Sequence, residues 1–471
     1  MPWAPKCRPR DSPLLEKSNP ANTAIPTKFS HYLCPSNTDP MRYYSTRNRA
    51  HTASLSEAVF RGLAPDGGLY LPESLPALPS SFFEEIDTLP FAEINYRVAS
   101  ALTGDAVPEA VLRRIAAEAV NFPTPVVPIE DGIYSLELFH GPTLAFKDVG
   151  ARFMALLLGH FAERQKEHIK VVVATSGDTG SAVAAGFYRV PGVEVHILYP
   201  KGRVSPLQEK QLTTWGDNIH AIEVEGSFDD CQALAKQILS DPELKGKHRI
   251  TSANSINIAR LIPQSFYYFH AYAQLKHLGR RLVVCVPSGN FGNLSAGLMG
   301  KMLGLPIDLF VAATNANDVV PAFIESGAYA PKASVPTISN AMDVGAPSNF
   351  ERMTALFGTS NNDFAPFMQA SGWSDADTRQ TMKTVYEHTG YMLDPHGAVG
   401  YLGLQKALKG RPDAVGVLLE TAHPAKFGEV VHDALGVAPD MPTRLAAFAK
   451  KEKVATACPN DYAAVRELIA G

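Results

Sequence analysis

The chain has 471 residues, enough for two or three domains with ample core. Its 43 Lys and Arg against 47 Asp and Glu give a net charge of −4, so no global basic field marks it for nucleic acid or an anionic membrane. No apolar run approaches the ~20 residues that span a bilayer. The 5 scattered cysteines (Cys7, Cys34, Cys231, Cys285, Cys458) form no CxxC pair, which disfavours a disulfide framework or structural zinc and fits a reducing, cytoplasmic compartment.

Residues 1–40 are rich in Pro, Ser and Asn, lack helical periodicity and hold no secretory h-region. They read as a flexible N-terminal extension, with the compact protein beginning near Met41. Residues 41–125 read as a small N-terminal domain. It has a strand-like 42–46, a turn at Asp66-Gly67-Gly68, a strand-like 69–71, and helices at 79–86, 90–102 and 108–120. From 126 to 471 the pattern changes to alternating strands and helices. Continuous apolar strands are expected at 170–175, 281–287 and 414–420, with weaker ones at 193–199, 219–224 and 307–312. Helices fit 147–166, 180–188, 227–239, 258–277 and 292–303. This predicts an α/β core of mostly parallel open sheets with helices on both faces. Residues 314–390, rich in Gly, Pro, Asn and Ser, read as an insertion.

Lys147 stands out in Phe139-His140-Gly141-Pro142-Thr143-Leu144-Ala145-Phe146-Lys147-Asp148. It follows a Gly-Pro turn, sits between apolar residues and opens a helix. Taken alone, such a lysine is ordinarily solvated and snorkels off the helix end. As a nucleophile it needs its pKa of about 10.4 lowered by about three units, or about 4 kcal/mol. Burial and the positive end of a helix both act that way.

Three expected strands end in unusual loops: Thr175-Ser176-Gly177-Asp178-Thr179-Gly180, Ser288-Gly289-Asn290-Phe291-Gly292-Asn293, and Thr421-Ala422-His423-Pro424-Ala425-Lys426. Ligands of open parallel sheets bind outside the carboxyl ends of strands, so the three loops are expected around one crevice. The 288–293 loop is suited to a phosphate, through glycine-flanked N–H groups and the next helix end. It matches neither Walker A nor the full dinucleotide fingerprint, and on its own it is equally an ordinary βα turn. A phosphate cradle, a primed lysine and a hydroxyl at a third strand end together make a pyridoxal phosphate site. Lys147 holds the aldehyde, the glycine loop the phosphate, and Thr421 faces the ring nitrogen.

With these motifs in hand, the chain resembles the threonine synthase family of fold type II pyridoxal phosphate enzymes. HGPTLAFKD is similar to the family's lysine segment, TSGDTG to its substrate loop and SGNFGN to its phosphate loop. Residues 44–47 and 62–70 resemble its N-terminal domain, and Ser339-Asn340-Ala341-Met342-Asp343-Val344 resembles a segment of its longer form. The resemblance spans about 41–430. It implies the substrate O-phospho-L-homoserine and the products threonine and phosphate, with Lys147 shuttling protons at Cα and Cβ. It implies cofactor contacts from Phe146, Lys147, Asp178, Ser288, Gly289, Asn290, Phe291, Gly292, Asn293 and Thr421. Asp178 stands where many relatives carry Asn, facing the phenolic oxygen. Substrate contacts are expected from Ser176, Asp178, Thr179, Asn257 and Arg260, the last gripping the substrate phosphate. His140 and His423 read as structural. The resemblance also implies a monomer or weak homodimer. Two other readings remain open: another fold type II lyase such as a serine or threonine dehydratase, and a catalytically silent binding protein.

Overall fold

A computed structural model describes residues 41–175 and 177–471. The expectations for residues 1–40 and for Ser176 lie outside the described residues. Among the described residues, fourteen strands build three sheets. In chain order these are β1 (Tyr43–Ser45), β2 (Thr52–Ala53), β3 (Tyr70–Pro72), β4 (Val126–Glu130), β5 (Ile133–Glu137), β6 (Ile169–Ala174) and β7 (Val193–Pro200). They continue as β8 (Ile219–Glu225), β9 (Arg249–Ser252), β10 (Arg281–Pro287), β11 (Leu309–Thr314), β12 (Met368–Gly372), β13 (Ala414–Glu420) and β14 (Thr456–Pro459).

The N-terminal sheet has the order β2-β1-β3 and is antiparallel. Its tight return is set by Asp66, whose carboxylate accepts from Ser45 Oγ at 2.7 Å and from Gly68 N at 2.9 Å. Helices Phe91–Thr103 and Glu109–Ala119 flank it, and each starts directly after a proline. Tyr43 reaches from β1 to donate to Leu102 O at 2.5 Å.

The core holds two sheets. One has five parallel strands in the order β14-β8-β7-β6-β9. The other has six in the order β12-β11-β10-β13-β5-β4, parallel except for the edge hairpin β4–β5. Strands β6, β11 and β13 are buried along their whole length, as strands covered on both faces must be. The three loops singled out in the sequence leave two sheets: β6 belongs to the first, β10 and β13 to the second.

Two expectations are revised. The stretch 258–277 is not one helix. Pro263 has no N–H to donate and crowds the preceding turn, so a short helix Ile258–Leu261 passes through a 3-10 turn, Ile262–Ser265, into the helix Phe266–Leu275. Residues 314–390 contain core structure as well as loops, because β12 pairs in parallel with β11 and the helix Asp375–Thr389 follows it. No helix among the described residues is long and apolar enough to cross a membrane.

Candidate active site

The carboxyl ends of β6, β10 and β13 meet at a cavity of about 650 Å³ between the two large sheets. Lys147, Phe146, Asp178, Thr179, Arg260, Thr421 and the run 289–293 all line it.

Lys147 is the first residue of the 19-residue helix Lys147–Gln165. The turn before it is fixed by Asp148, which accepts from Thr143 N at 2.8 Å and Thr143 Oγ1 at 2.7 Å. Leu144 takes a left-handed φ of 60° to make that turn. The same segment is stapled to the end of β13: Leu138 N donates to Glu420 O at 3.0 Å, Phe146 N to Thr421 O at 2.9 Å and His423 N to Leu144 O at 3.1 Å. The lysine and Thr421 are thus held to each other by backbone. Burial, then the Arg260 charge, lowers the Lys147 pKa to about 8, against the opposing pull of Asp178. That raises the neutral amine at pH 7 from about 0.04% to about 10%.

Asp178 begins the helix Asp178–Phe187 after Gly177, whose φ of 152° lies outside the range most residues adopt. Its Oδ1 accepts from Lys426 Nζ at 2.6 Å and Gln208 Nε2 at 2.8 Å. Burial pushes its pKa up, but the Lys426 charge and both hydrogen bonds outweigh this and hold it below the usual carboxylate range. Lys426, also buried, donates to Thr143 O at 2.8 Å as well. One buried ammonium therefore joins the acid loop to the lysine turn. The sequence displayed Lys426 but gave no reason to single it out, because its partners lie far away in the chain.

The 288–293 loop enters the helix Gly292–Met302 through Phe291 in a left-handed conformation, φ 59°. Gly289 has no room for a side chain, since a Cβ there would stand 2.7 Å from Met342 Cα. The 339–344 segment thus packs directly on the glycine loop. The Asn290 amide links neighbouring loops, donating to Ser255 Oγ at 2.7 Å and accepting from Ser348 N at 2.6 Å. What remains for a phosphate is backbone, including the first N–H groups of the helix, which have no partner within it. Ser288 departs from expectation: its hydroxyl turns back to Val286 O at 2.8 Å, and it does not line the cavity.

Arg260 is 3% exposed, and it has no carboxylate within ion-pair range among the described residues. Its Nη1 donates to Ala253 O at 2.6 Å, while its Nε is buried without a hydrogen-bond partner. Burial lowers its pKa to about 10, so it stays cationic at neutral pH. Asn257 is a second departure. It caps the helix Ile258–Leu261, accepting from Ala259 N at 3.0 Å, and its Nδ2 faces Val59 O at 2.9 Å, away from the cavity. The geometry explains why: an N-cap side chain must fold back on its own helix.

Sequence reasoning also passed over His396, which lines the cavity, is held by Asp394 at 2.7 Å and accepts from Ala341 N at 3.2 Å. His140 and His423 have structural settings. His140 bonds Glu137 at 2.7 Å, and His423 Nδ1 accepts from Ala425 N at 3.1 Å. Among the basic residues after β7, Lys201 pairs with Glu225 at 3.0 Å and Lys210 donates to Lys451 O at 2.7 Å, while Arg203 reaches the cavity wall.

These features fit pyridoxal phosphate. There is a depressed amine, a glycine cradle with no space for side chains, and an orphaned guanidinium in one cavity. The chain matches a family model described as pyridoxal-phosphate dependent enzyme over residues 118–420. Models of the threonine synthase N terminus and C-terminal region match residues 42–120 and 397–469. Threonine synthase of Escherichia coli (strain K12) is 45% identical over 430 residues, covering 91% of this chain and 99% of that one. Its crystal structure superposes with a TM-score of 0.85. A PLP-bound threonine synthase structure from Brucella melitensis, 36% identical, gives 0.85 with coverage of 91% and 99%. Maize serine racemase, at 16% identity over 66% of this chain and 92% of its own, shares the fold with a TM-score of 0.51. The chain belongs to the threonine synthase family of pyridoxal-phosphate-dependent enzymes.

Proposed function

We propose that the protein converts O-phospho-L-homoserine and water to L-threonine and phosphate, as a carbon–oxygen lyase acting on a phosphate ester. The observation that carries this reading is Arg260. A buried guanidinium that lines the cavity holding Lys147, with no carboxylate in ion-pair range among the described residues, calls for an anionic substrate group. Lys147 anchors the cofactor. When bound, pyridoxal phosphate withdraws electrons from the substrate carbons, so that protons at Cα and Cβ become acidic. Lys147 Nζ then takes and returns those protons, a task suited to an amine whose pKa lies near 8. Arg260 stabilises the charge that gathers on the departing γ-phosphate, and water adds at Cβ.

Backbone N–H groups of Gly289 to Asn293, with Phe146 at the side, hold the cofactor. The neutral Thr421 hydroxyl would face the ring nitrogen and so would moderate the electron withdrawal. Asp178, its charge balanced by Lys426, would stand ionised beside the phenolic oxygen. Thr179, like Ser176 by sequence, offers a hydroxyl to the substrate. We read 41–125 as one domain, 126–471 as the catalytic core, and the enzyme as cytoplasmic and monomeric or weakly dimeric. One chain supplies every group named.

The test is phosphate release from O-phospho-L-homoserine by wild type and Lys147→Ala. We expect the variant to fall by about a thousandfold or more, the scale of a lost acid–base group. Undiminished turnover would sink the mechanism. Ammonia from serine or threonine, with no phosphate released, would move the protein to the dehydratases.

A further inference from the structure

Arg352 is fully buried, yet it has no carboxylate partner among the described residues. The neighbouring Glu351 turns outward to Thr46 and Arg47 instead. Four oxygens from three separate parts of the chain receive the Arg352 guanidinium. Nε donates to Tyr70 O of β3 at 3.2 Å, Nη1 to Ser255 O at 2.8 Å and Asn349 Oδ1 at 2.6 Å, and Nη2 to Ile256 O at 2.6 Å. Ser255 is a junction in its own right. Its hydroxyl accepts from Asn290 Nδ2 of the glycine loop at 2.7 Å and from Asn349 Nδ2 at 3.1 Å. Gly292, at the helix entry, would press a Cβ to 3.3 Å from Ser255 Cβ.

Ser255 lies between the two anion holders. On one side is the glycine loop, and on the other the 252–260 segment that ends in Arg260. We propose that Arg352 is a positioning residue for both anion sites at once: by clamping the Ser255–Ile256 backbone and Asn349, it sets the spacing between the cofactor-phosphate loop and the substrate-phosphate arm, and it adds a fixed positive charge behind them. The proposal rests on the functional reading above for the identity of the second anion. A planar fork is needed to reach four acceptors on separate segments, and a lysine ammonium cannot reproduce it. Burial lowers the Arg352 pKa to about 9, so the group remains a cation at neutral pH. A buried cation with only neutral oxygens around it is relieved when an anion binds close by.

The experiment uses Arg352→Lys and Asn349→Ala, neither of which changes a residue lining the cavity. Two quantities are read on each: the dissociation constant of pyridoxal phosphate for the cofactor-free protein, followed by absorbance, and the inhibition constant of inorganic phosphate against O-phospho-L-homoserine. The expected result is a rise of about tenfold in both constants, with kcat at saturating cofactor and substrate within about threefold of wild type. A lowered melting temperature with both constants unchanged would reduce Arg352 to a structural role and overturn the proposal. A rise in only one constant would overturn the shared junction. If Arg352→Lys does not fold, Asn349→Ala decides alone, because it removes both an acceptor of the Arg352 guanidinium and the amide that ties it to the Ser255 hydroxyl. Failure of wild type to release phosphate would count against the functional reading. The cofactor constant would still report on the junction.

Discussion

Two buried cations at the site, Arg260 in the cavity wall and Lys426 behind Asp178, differ in one respect. Lys426 sits 2.6 Å from Asp178, and its charge is answered within the protein. Arg260 has a carbonyl on one nitrogen and nothing on Nε. The first kind of site is complete without a ligand and serves to orient. The second is complete only when an anion arrives, and it serves to bind. Burial and residue type are similar in the two cases, so the partner decides the role.

The contrast can be broken at either end. Lys426→Met strips Asp178 of its counter-charge in a buried setting and is expected to lower stability by about 3–5 kcal/mol. The measure is urea unfolding of the cofactor-free protein, and an unchanged midpoint would mean the pair is not integral to the fold. Arg260→Met should differ in its effect on stability. Removing a buried charge that has no ion-pair partner, and that only the more distant Asp148 offsets, leaves the cofactor-free protein about as stable as wild type. At the same time KM for O-phospho-L-homoserine rises by about tenfold to a hundredfold, the loss of one charge-assisted hydrogen bond of about 1.5–3 kcal/mol. A destabilised variant with unchanged KM would reverse the assignment.

A smaller effect sharpens the picture at Lys147. Its folded pKa of about 8 lies below the usual lysine value, with burial the larger cause. Below pH 8 the folded protein carries the buried ammonium at a cost. As pH rises through 8 the folded form loses that proton before the unfolded chain does, so this group's contribution to stability increases between about 8 and 10.4. Acylation of Lys147 in the cofactor-free protein, followed by mass spectrometry, should therefore show a midpoint near pH 8. A midpoint near that of an ordinary lysine would remove the case for a primed amine.

What could be read from the chain follows from how local each cause is. The runs that became β6, β10 and β13 are legible because a strand buried on both faces is apolar at nearly every position, here broken only at Lys170, Arg281 and Glu420. Lys147 is legible because its turn, helix start and apolar neighbours are contiguous. Which of the two sheets each loop leaves is a matter of strand order, which no single segment encodes. Side-chain direction was equally hidden. Asn257 and Ser288 have residue types suited to binding, but one caps its helix and the other turns back on its strand. Lys426 and Arg352 were hidden because most of their partners come from distant segments, and His396 because its place at the cavity depends on the fold rather than on its neighbour Asp394. Lys426, for example, bonds Thr143 across 283 positions.

That separation has a bearing on how the enzyme comes into being. The lysine turn is held in place by the end of β13 and by Lys426, so its final shape depends on chain made almost last. Contacts so far apart in sequence form late, after the loop between them has been closed. A ribosome-bound chain that has exposed every glycine of the phosphate loop, but not yet residue 426, has its nucleophile without the backbone that aims it. Cofactor capture is then the closing event of synthesis, and protein truncated before that point should neither retain pyridoxal phosphate nor gain stability from it.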